Sequence, residues 1–561
     1  MPVLQTNFWK QAAFTRIASF FFLITPVLKA QPQSIVLARP TDTSITASIM
    51  FKQVATFYVE YGIQPGDYPH KSPTYDAKLN TPSVVELTSL QPNTRYFYRL
   101  RYRLPNASTF DVSPEYTFHT QRSIGSTFRF TVEADEHLYD KKGVRSLYKI
   151  DLQNQAKANP DFMISLGDTF GDDHTPTTTT SADMNELHKD YLQYLGANTH
   201  SIPFFFVLGN HEGENGYYLK QTPPNNIAVY GTAWRKFYYP NPVPNHFYSG
   251  NTVPEAYGIG LPENYYAFTW GDALFVMLDV YRHVSINEKP QSWDWTLGET
   301  QYRWFKSTLE NSKAKYKFVF AHHLRGQGRG AAVMVKGFEW GGYNNAGTYQ
   351  FDTMRPNWGL PIHQLMVKYG VNIFFQGHDH LYAREKVDNI MYQEMPMPSD
   401  STYQIGVLAN ADAYTGLTLD GSGHLRVTVA PSCTTIEYVR AYLPADTISN
   451  QHQNGEVADQ YSVGTCSSLI PIEEEMPAPD TGFSVFPNPA RGQVYLQFSQ
   501  PVLSHQKVEL FNLHGQLLQT VQIQQGMALT AFDTRPLSSG IYLLRWANQG
   551  KLYSQKVIVM R

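Results

Sequence analysis

Cysteine, net charge and long apolar runs are all scarce in this chain of 561 residues. The two cysteines, Cys433 and Cys466, allow at most one internal disulfide, and the sequence leaves open whether they pair. The 45 basic and 48 acidic residues give a net charge of -3, which excludes a global field that attracts nucleic acid or an anionic membrane. We therefore expect no nucleic-acid binding, and specific sites must carry the function.

An apolar run near the amino terminus is too short to cross a bilayer. It extends from Ile17 to Leu28, follows Lys10 and Arg16, and is interrupted by Pro26. A membrane-spanning helix needs about 20 apolar residues, so this pattern is typical of a secretory signal. The sequence thus predicts a signal peptide over residues 1–30, and no later run is long enough to predict a transmembrane segment.

The length predicts several domains, and the first of them is rich in short strands. Residues 31–122 contain period-two runs separated by Pro, Asn and Gly, which indicates an antiparallel sandwich. The segment "LQPNTRYFYRLRY", from Leu90 to Tyr102, resembles the late strands of fibronectin type III-like domains. An unrelated sandwich is the alternative. In either case this domain is a scaffold without catalytic residues.

Buried strands alternate with helical stretches between residues 123 and 445. The apolar runs are "FRFTVEADEH", "PDFMISLGD", "IPFFFVLGNHE", "DALFVMLDV", "YKFVFAHH" and "VNIFFQGHDH", and helical spacing occurs in "ETQYRWFKSTLENS" and "GLPIHQLMVKYG". This alternation predicts an α/β fold with sheets covered on both faces. Because ligands gather beyond the carboxyl ends of strands in such folds, the polar clusters that end five of the runs are candidate site residues.

The end of the chain has a different composition. Residues 446–482 include "PIEEEMPAPDTG", and the acidic run and prolines are typical of a linker. Residues 483–561 return to short strands and resemble the C-terminal sorting domain of the type IX secretion system in "PNPARG", "LFNLHGQLL", "LSSGIYLLRW" and "KVIV". The resemblance implies export by that machinery to the surface or exterior of a Gram-negative cell, with release or anchoring left open. A small immunoglobulin-like sandwich that does not direct export is the alternative.

Five polar clusters follow the apolar strands and should lie at one rim of the fold. They are "EADEH" with Asp135 and His137, "LGD" with Asp168, "LGNHE" with Asn210 and His211, "AHH" with His322 and His323, and "GHDH" with His378 and His380. Imidazole and carboxylate ligands without a thiol suit a pair of transition-metal ions. One such cluster alone is more often a turn or a surface pair. The prediction therefore rests on all five together.

In their order along the chain, the five clusters resemble the motif set of the calcineurin-like metallophosphoesterases. With the sandwich in front, the layout is similar to purple acid phosphatases. The resemblance implies an α/β metallophosphoesterase sandwich of two β-sheets flanked by helices, an N-terminal fibronectin III-like β-sandwich and a C-terminal β-sandwich sorting domain. Two departures limit the analogy. Gly171 stands where purple acid phosphatases have a tyrosine, so an iron–phenolate chromophore is not expected, and their first motif lacks the histidine found here as His137.

The resemblance also implies a ligand set for two ions, whose identity as Fe, Mn or Zn stays open. Asp168 would bridge the ions, and the other ligands would be Asp135, His137 and His380 for the first ion and Asn210, His378 and His322 for the second. We favour His322 over His323 because the first histidine of such a pair aligns in family members. Leu324 replaces the proline that usually follows, which leaves this choice open.

This ligand set predicts a secreted phosphatase. It would hydrolyse phosphate monoesters by in-line attack of a metal-bound hydroxide, with Asp168 and His211 as catalytic residues. His211 would protonate the leaving oxygen or stabilise charge, and Asn210, His211 and Arg325 would contact the substrate, although a surface role for Arg325 is the alternative. The insert from Gly213 to Asn264 is the candidate for substrate specificity because it is a loop over a rigid rim.

Two other functions stay open at this point. The first is a phosphodiesterase or nucleotide hydrolase that uses the same site. The second is a surface binding protein with a vestigial metal site. The complete ligand set argues against the second, whereas the sequence does not decide between monoesters and diesters.

Overall fold

A computed structural model of the chain describes residues 32–139, 142–170, 177–220, 226–284, 290–324, 326, 328–410, 413–448, 451–466, 483–498, 502, 504–512, 516–527, 529–548 and 551–560. The predicted signal peptide and Arg325 lie outside these residues. The chain divides into two compact units, Met1–Ser467 and Ser468–Arg561. Among the described residues, no helix is long and apolar enough to cross a membrane.

The first unit begins with a sandwich of two antiparallel sheets around one apolar core. One sheet has the strand order β1-β2-β6, and the other has the order β4-β3-β7-β8, with β5 paired to β3 and β9 to β7. The resemblance of this sandwich to fibronectin type III domains stays a prediction. Its strands are β1 (Pro32–Ala38), β2 (Ile45–Phe51), β3 (Ala55–Gly62), β4 (His70–Lys71), β5 (Tyr75–Ala77), β6 (Ser83–Leu87), β7 (Arg95–Arg103), β8 (Asp111–Val112) and β9 (Tyr116–His119).

Two mixed sheets face each other in the rest of the first unit. Side chains such as Phe130, Phe162, Phe275 and Phe320 fill the space between them. The strands are β10 (Phe128–Glu133), β11 (Phe162–Ser165), β12 (Phe204–Phe206), β13 (Ser249–Gly250), β14 (Tyr266–Trp270), β15 (Ala273–Met277), β16 (Tyr316–Phe320), β17 (Ile373–Gln376), β18 (Tyr382–Val387), β19 (Ile390–Glu394), β20 (Leu417–Leu419), β21 (Ser422–Val429), β22 (Cys433–Ala441) and β23 (Val457–Gly464). The six-stranded sheet has the order β12-β11-β10-β21-β22-β23, and the eight-stranded sheet has the order β13-β14-β15-β16-β17-β19-β18-β20.

Helices cover the outer faces of both sheets. One apolar cluster packs α1, α2 and α3 against the six-stranded sheet, and another packs α4 to α7 against the eight-stranded sheet. The helices are α1 (Arg145–Lys157), α2 (Ser181–Leu195), α3 (Ile227–Tyr238), α4 (Gly298–Asn311), α5 (Phe338–Gly341), α6 (Phe351–Met354) and α7 (Ile362–Lys368), with short 3-10 helices at Gly216–Lys220, Ser292–Asp294 and Pro444–Thr447. The predicted α/β sandwich of two sheets flanked by helices is therefore confirmed for this region.

The six predicted apolar runs form β10, β11, β12, β15, β16 and β17. Strands β10, β11 and β12 pair in parallel in one sheet, and β15, β16 and β17 pair in parallel in the other. Parallel strands end at the same edge of a sheet, so the clusters that follow β10, β11, β12, β16 and β17 share one rim.

Strand β23 lies inside the segment that the sequence predicted to be a linker, residues 446–482. It pairs antiparallel with β22 along its length, so Val457–Gly464 belongs to the six-stranded sheet. Cys433 and Cys466 form a disulfide at the end of this pairing, with their Cα atoms 5.1 Å apart. The prediction of a linker is therefore wrong for this stretch, because an edge strand with mostly exposed polar side chains has the composition of a loop.

The second unit is a β structure with its own apolar core. Its strand order is β27-β26-β29-β30-β24-β25-β28. The strands are β24 (Phe483–Arg491), β25 (Gln493–Phe498), β26 (Gln506–Asn512), β27 (Leu517–Ile523), β28 (Leu529–Asp533), β29 (Gly540–Asn548) and β30 (Lys551–Val559).

Candidate metal centre

The predicted site residues come together where parallel strands end. Asp135 and His137 follow β10, Asp168 follows β11, Asn210 and His211 follow β12, His322 follows β16, and His378 and His380 follow β17. Three groups bring potential ligand atoms within 4.8 Å of one another: Asp135, His137 and His380; His137, Asp168 and His211; and Asp168, His322 and His378. The two sheets thus contribute to a single cluster of donors.

One oxygen of Asp135 is at the centre of the first group. The Nε2 atom of His380 lies 3.5 Å from Asp135 Oδ1, and that of His137 lies 3.6 Å from it. The Nε2 atom of His322 lies 3.9 Å from the same oxygen. All of these side chains are buried. Three imidazoles therefore converge on one carboxylate oxygen.

One oxygen of Asp168 is at the centre of the other two groups. Its Oδ2 atom lies 3.1 Å from Nε2 of His322, 3.6 Å from that of His137 and 3.9 Å from that of His211. His137 and His322 thus lie close to both carboxylates. This arrangement gives Asp168 the central position that a bridging ligand needs.

Backbone conformation aims these side chains at the rim. Asp135, His137, Asp168, His378 and His380 have φ values of 62°, 42°, 58°, 82° and 64°. Non-glycine residues rarely adopt this left-handed region, and the strain of about 1–3 kcal/mol for each residue is typical of functional sites. A left-handed residue turns the chain sharply after a strand, which lets His378 and His380 both reach the cluster.

Hydrogen bonds to the far side of each group fix its orientation. The amide of His378 donates to Asp135 Oδ2 at 2.8 Å, and the amide of His211 donates to Asp168 Oδ1 at 2.8 Å. The Nδ1 atoms of His322 and His380 lie 2.9 Å and 2.8 Å from the carbonyl oxygens of Leu166 and Leu408. A proton on Nδ1 leaves Nε2 as the electron-pair donor, which is how imidazole ligands of metals are usually held.

The atoms that face the centre fit a metal ion. Asp135 Oδ1, Asp168 Oδ2, Asn210 Oδ1 and His322 Nε2 are buried and have no hydrogen-bond partner among the described residues. Leaving a buried polar group unsatisfied costs about 1–3 kcal/mol, so their convergence needs an explanation. Carboxylate, amide and imidazole donors together match the preferences of Zn, Fe and Mn.

Electrostatics within the cluster set the protonation states. Burial alone would raise the pKa of Asp168, but the neighbouring imidazoles of His322 and His211 lower it well below its usual value. Burial lowers the pKa of His322, but Asp168 and Asp135 outweigh this effect and raise it to about 9. Burial lowers the pKa of His380 to about 4. A bound cation would replace the proton on His322 as the partner of the two carboxylates.

The structure distinguishes the two adjacent histidines after β16. His322 directs Nε2 toward Asp168, whereas Nε2 of His323 lies 3.2 Å from the carbonyl oxygen of Gly330. Neither side chain is exposed to solvent. The geometry therefore supports His322 as the ligand, which was the favoured choice.

Glu212 organises the turn that carries Asp168. Its carboxylate accepts backbone amides from Asp168 at 3.1 Å, Thr169 at 2.8 Å and Phe170 at 3.2 Å. Glu212 is buried, and burial together with the charge of Asp168 raises its pKa to about 7. It thus supports the position of Asp168 from behind.

Sequence reasoning missed Tyr414 and Glu394, which form a network behind His378 and His380. Asp379 turns away from the donor cluster, and its Oδ2 accepts the amide of Gly330 at 2.7 Å and the hydroxyl of Tyr414 at 2.8 Å. Tyr414 also lies 2.9 Å from Oε2 of Glu394, whose Oε1 accepts the Asp379 amide at 3.0 Å. Glu394 ends β19, which pairs in parallel with β17, and no local sequence pattern encodes that pairing.

The predicted specificity insert folds onto the rim in its described parts. The amide of Gly216 donates to the carbonyl of Tyr281 at 3.1 Å. Arg235 on α3 forms a buried ion pair with Glu214 at 2.6 Å. The insert is therefore fixed close to His211, and its effect on specificity stays a prediction.

Two family models match this chain. Residues 128–382 match the calcineurin-like phosphoesterase model, and residues 484–560 match the secretion system C-terminal sorting domain. A search of curated proteins gives no match.

Two solved structures show the same fold at low sequence identity. A purple acid phosphatase, PPD1 from yellow lupin, is 18% identical with a TM-score of 0.52, over 78% of this chain and 74% of that chain. The structure of PhoD is 17% identical with a TM-score of 0.53, over 78% of this chain and 91% of that chain. These two likenesses show the fold. The two model matches, together with the donor cluster, indicate a phosphoric ester hydrolase whose chain carries a calcineurin-like phosphoesterase domain and a secretion-system C-terminal sorting domain.

Proposed function

We propose that this protein hydrolyses phosphate monoesters with two metal ions held at the strand-end cluster. The observation that carries the proposal is the convergence of three imidazoles on Asp135 Oδ1 and of three on Asp168 Oδ2. Asp168 would bridge the ions, with Asp135, His137 and His380 on the first and Asn210, His322 and His378 on the second. The donor set suits Fe, Mn or Zn.

The ions would supply Lewis-acid stabilisation of a phosphoryl oxygen and activation of water. The residues of the chain hold the donors in place: Glu212 fixes the turn of Asp168, and the His378 amide fixes Asp135. Since these groups are already oriented by the backbone, little reorganisation is needed when substrate binds.

His211 is the proposed proton donor to the leaving oxygen. Its Nε2 atom lies 3.9 Å from Asp168 Oδ2. The residue is 9% exposed, more than any of the proposed ligands except His378. The phosphorus–oxygen ester bond would break as the leaving oxygen takes this proton, and a water hydroxyl would join the phosphorus. General acid catalysis of this kind contributes about 10²- to 10⁴-fold.

The test is hydrolysis by the mature protein loaded with Mn, Fe or Zn. We expect a higher kcat/KM for an aryl phosphate monoester than for its diester. Asp168→Asn should abolish both the activity and binding of the two metals, whereas Asp272→Asn should keep both. Asp272 precedes the amino end of β15 and therefore marks the opposite rim. A preference for the diester would instead identify a phosphodiesterase that uses the same site. Two bound metals without turnover of either ester would overturn the proposed function.

We also propose where this reaction occurs. The sorting domain indicates type IX secretion and a surface or secreted location. The predicted signal peptide over residues 1–30 would take the chain across the inner membrane first. Fractionation of cells that express either the full-length chain or a chain without residues 1–30 would test this step. Unchanged export of the truncated chain would contradict it.

A further inference from the structure

Three exposed cations follow His137, a proposed ligand of the first ion, along the chain. Lys142, Arg145 and Lys149, named here the basic edge, are all exposed to solvent. The segment from Lys142 to Lys149 reads "KGVRSLYK" and contains no acidic residue. Arg145 and Lys149 are one helical turn apart on α1 and therefore share a face. This local charge contrasts with the near-neutral balance of the whole chain.

The basic edge is held against the backbone of a proposed ligand. The amide of Gly143, which follows Lys142, donates to the carbonyl oxygen of His137 at 3.2 Å. A β-carbon at Gly143 would approach the carbonyl oxygens of Glu136 and His137 to 2.5 Å and 2.6 Å, so only glycine allows this close contact. The basic edge is thus anchored at the rim of the candidate site and not elsewhere on the surface.

Aromatic rings hold two of the cations in place. The Arg145 guanidinium lies 4.9 Å from the ring centre of Tyr139, and Lys149 Nζ lies 5.2 Å from that of Tyr194. Tyr139 packs against the buried ring of Tyr191, with ring centres 5.4 Å apart. A guanidinium stacked on a ring keeps its N–H edges available for an anion, so Arg145 is oriented before ligand binds.

Acidic groups do not neutralise this edge within the described residues. Among them, no acidic side chain forms an ion pair with Lys142, Arg145 or Lys149. Burial raises the pKa of Tyr194, the ring that Lys149 contacts, and Asp190 is close enough to raise it further; the Asp190 carboxylate accepts a hydrogen bond from Gln193. Glu136 is buried and accepts the Thr169 hydroxyl at 2.6 Å. A phosphate group, whose oxygens accept several charged hydrogen bonds at once, fits these three exposed and partly fixed cations.

We propose that the basic edge binds a second phosphate group on the leaving group of the substrate, with Arg145 as the principal contact. This inference rests on the proposed function, because the reacting phosphate would occupy the metal cluster. The substrate class would then be bisphosphorylated small molecules. The oxygen of water would add to the reacting phosphorus as the ester bond breaks, and the leaving oxygen would take a proton from His211. The proton that water releases would pass to solvent, from which His211 would regain its own. The products are orthophosphate and the monophosphorylated alcohol.

The first test compares 1,4-butanediol bisphosphate with butyl phosphate as substrates of the metal-loaded full chain. Loss of a charged hydrogen bond to phosphate is expected to raise the ratio of the bisphosphate KM to the butyl phosphate KM about tenfold in Arg145→Gln. Arg145→Lys keeps the charge and should recover part of the ratio. Lys313→Gln, which lies before the amino end of β16 at the opposite rim, should keep the wild-type ratio. An unchanged ratio in Arg145→Gln overturns the proposal.

A second test does not depend on turnover. Butane-1,4-bisphosphonate, which cannot be hydrolysed, should bind the metal-loaded protein more tightly than butylphosphonate in titration calorimetry. Arg145→Gln should remove this difference and weaken its dependence on salt. If wild type hydrolyses neither ester, the proposed function fails, and this titration still decides the basic edge. Equal bisphosphonate affinity in wild type and Arg145→Gln would overturn it.

Discussion

At the residue scale, backbone conformation matters as much as side-chain chemistry. Asp135, Asp168 and His378 each follow a strand in a left-handed conformation that favours glycine. Each of these residues therefore adopts a conformation that its side chain disfavours, and a role in the site is the simplest reason for this strain. The orphaned donor atoms of Asp135 and Asp168 point to the same reason.

Replacing His211 should affect catalysis more than metal binding. We expect His211→Ala to lower kcat by about 10²- to 10⁴-fold because it removes the proton donor, while two ions stay bound. The loss should shrink for an aryl ester with an acidic phenol, since such a leaving group needs little protonation. Metal analysis and kcat across a series of phenyl phosphates would check this. Equal losses across the series would contradict the assigned role.

The two neighbouring histidines after β16 should behave differently. His322→Ala removes a donor that faces both carboxylates, so we expect it to lose the second ion. His323→Ala should keep two ions because Nε2 of His323 lies against the Gly330 carbonyl. Metal content after dialysis would measure this, with thermal unfolding of both variants as the control. Loss of an ion in His323→Ala alone would reverse the assignment.

At the scale of elements, the sequence predicted what continuous apolar runs encode. Strand β17 is buried along its length and β10 at all positions but Arg129, so their apolar runs stand out in the sequence, and the clusters at their ends follow directly. Strand β23 was missed because its polar residues alternate with few apolar ones. Glu394 was missed because its place beside β17 depends on a pairing between β17 and β19 that no local pattern encodes.

The turn between β17 and β18 depends on the hydroxyl of Tyr414. Tyr414→Phe removes the group that lies between Asp379 and Glu394, so the turn that carries His378 and His380 should loosen. We expect metal affinity to fall about tenfold, as for other groups that orient metal ligands. Competition with a chelator would measure the affinity. Tyr403→Phe is the matched control, since its hydroxyl contacts Leu443 and Asp446. Equal affinities in both variants would contradict a positioning role.

At the scale of the molecule, the disulfide joins residues 33 positions apart in the first unit. We expect Cys433→Ser with Cys466→Ser to destabilise this unit by about 2–4 kcal/mol, because the unfolded chain gains freedom. Thermal unfolding with and without reductant would measure the effect. Reductant should lower the Tm of wild type and leave that of the double variant unchanged. A wild-type Tm that does not respond to reductant would contradict the prediction.

The same crosslink has a consequence for proteolytic processing. Cys466 is the last described residue before the sorting domain begins, and it is tied to the start of β22. A protease that cuts between residues 467 and 482 removes no described strand of the first unit and leaves its disulfide intact. The sorting domain can therefore be removed after secretion, and the remaining hydrolase keeps every described donor of its metal centre.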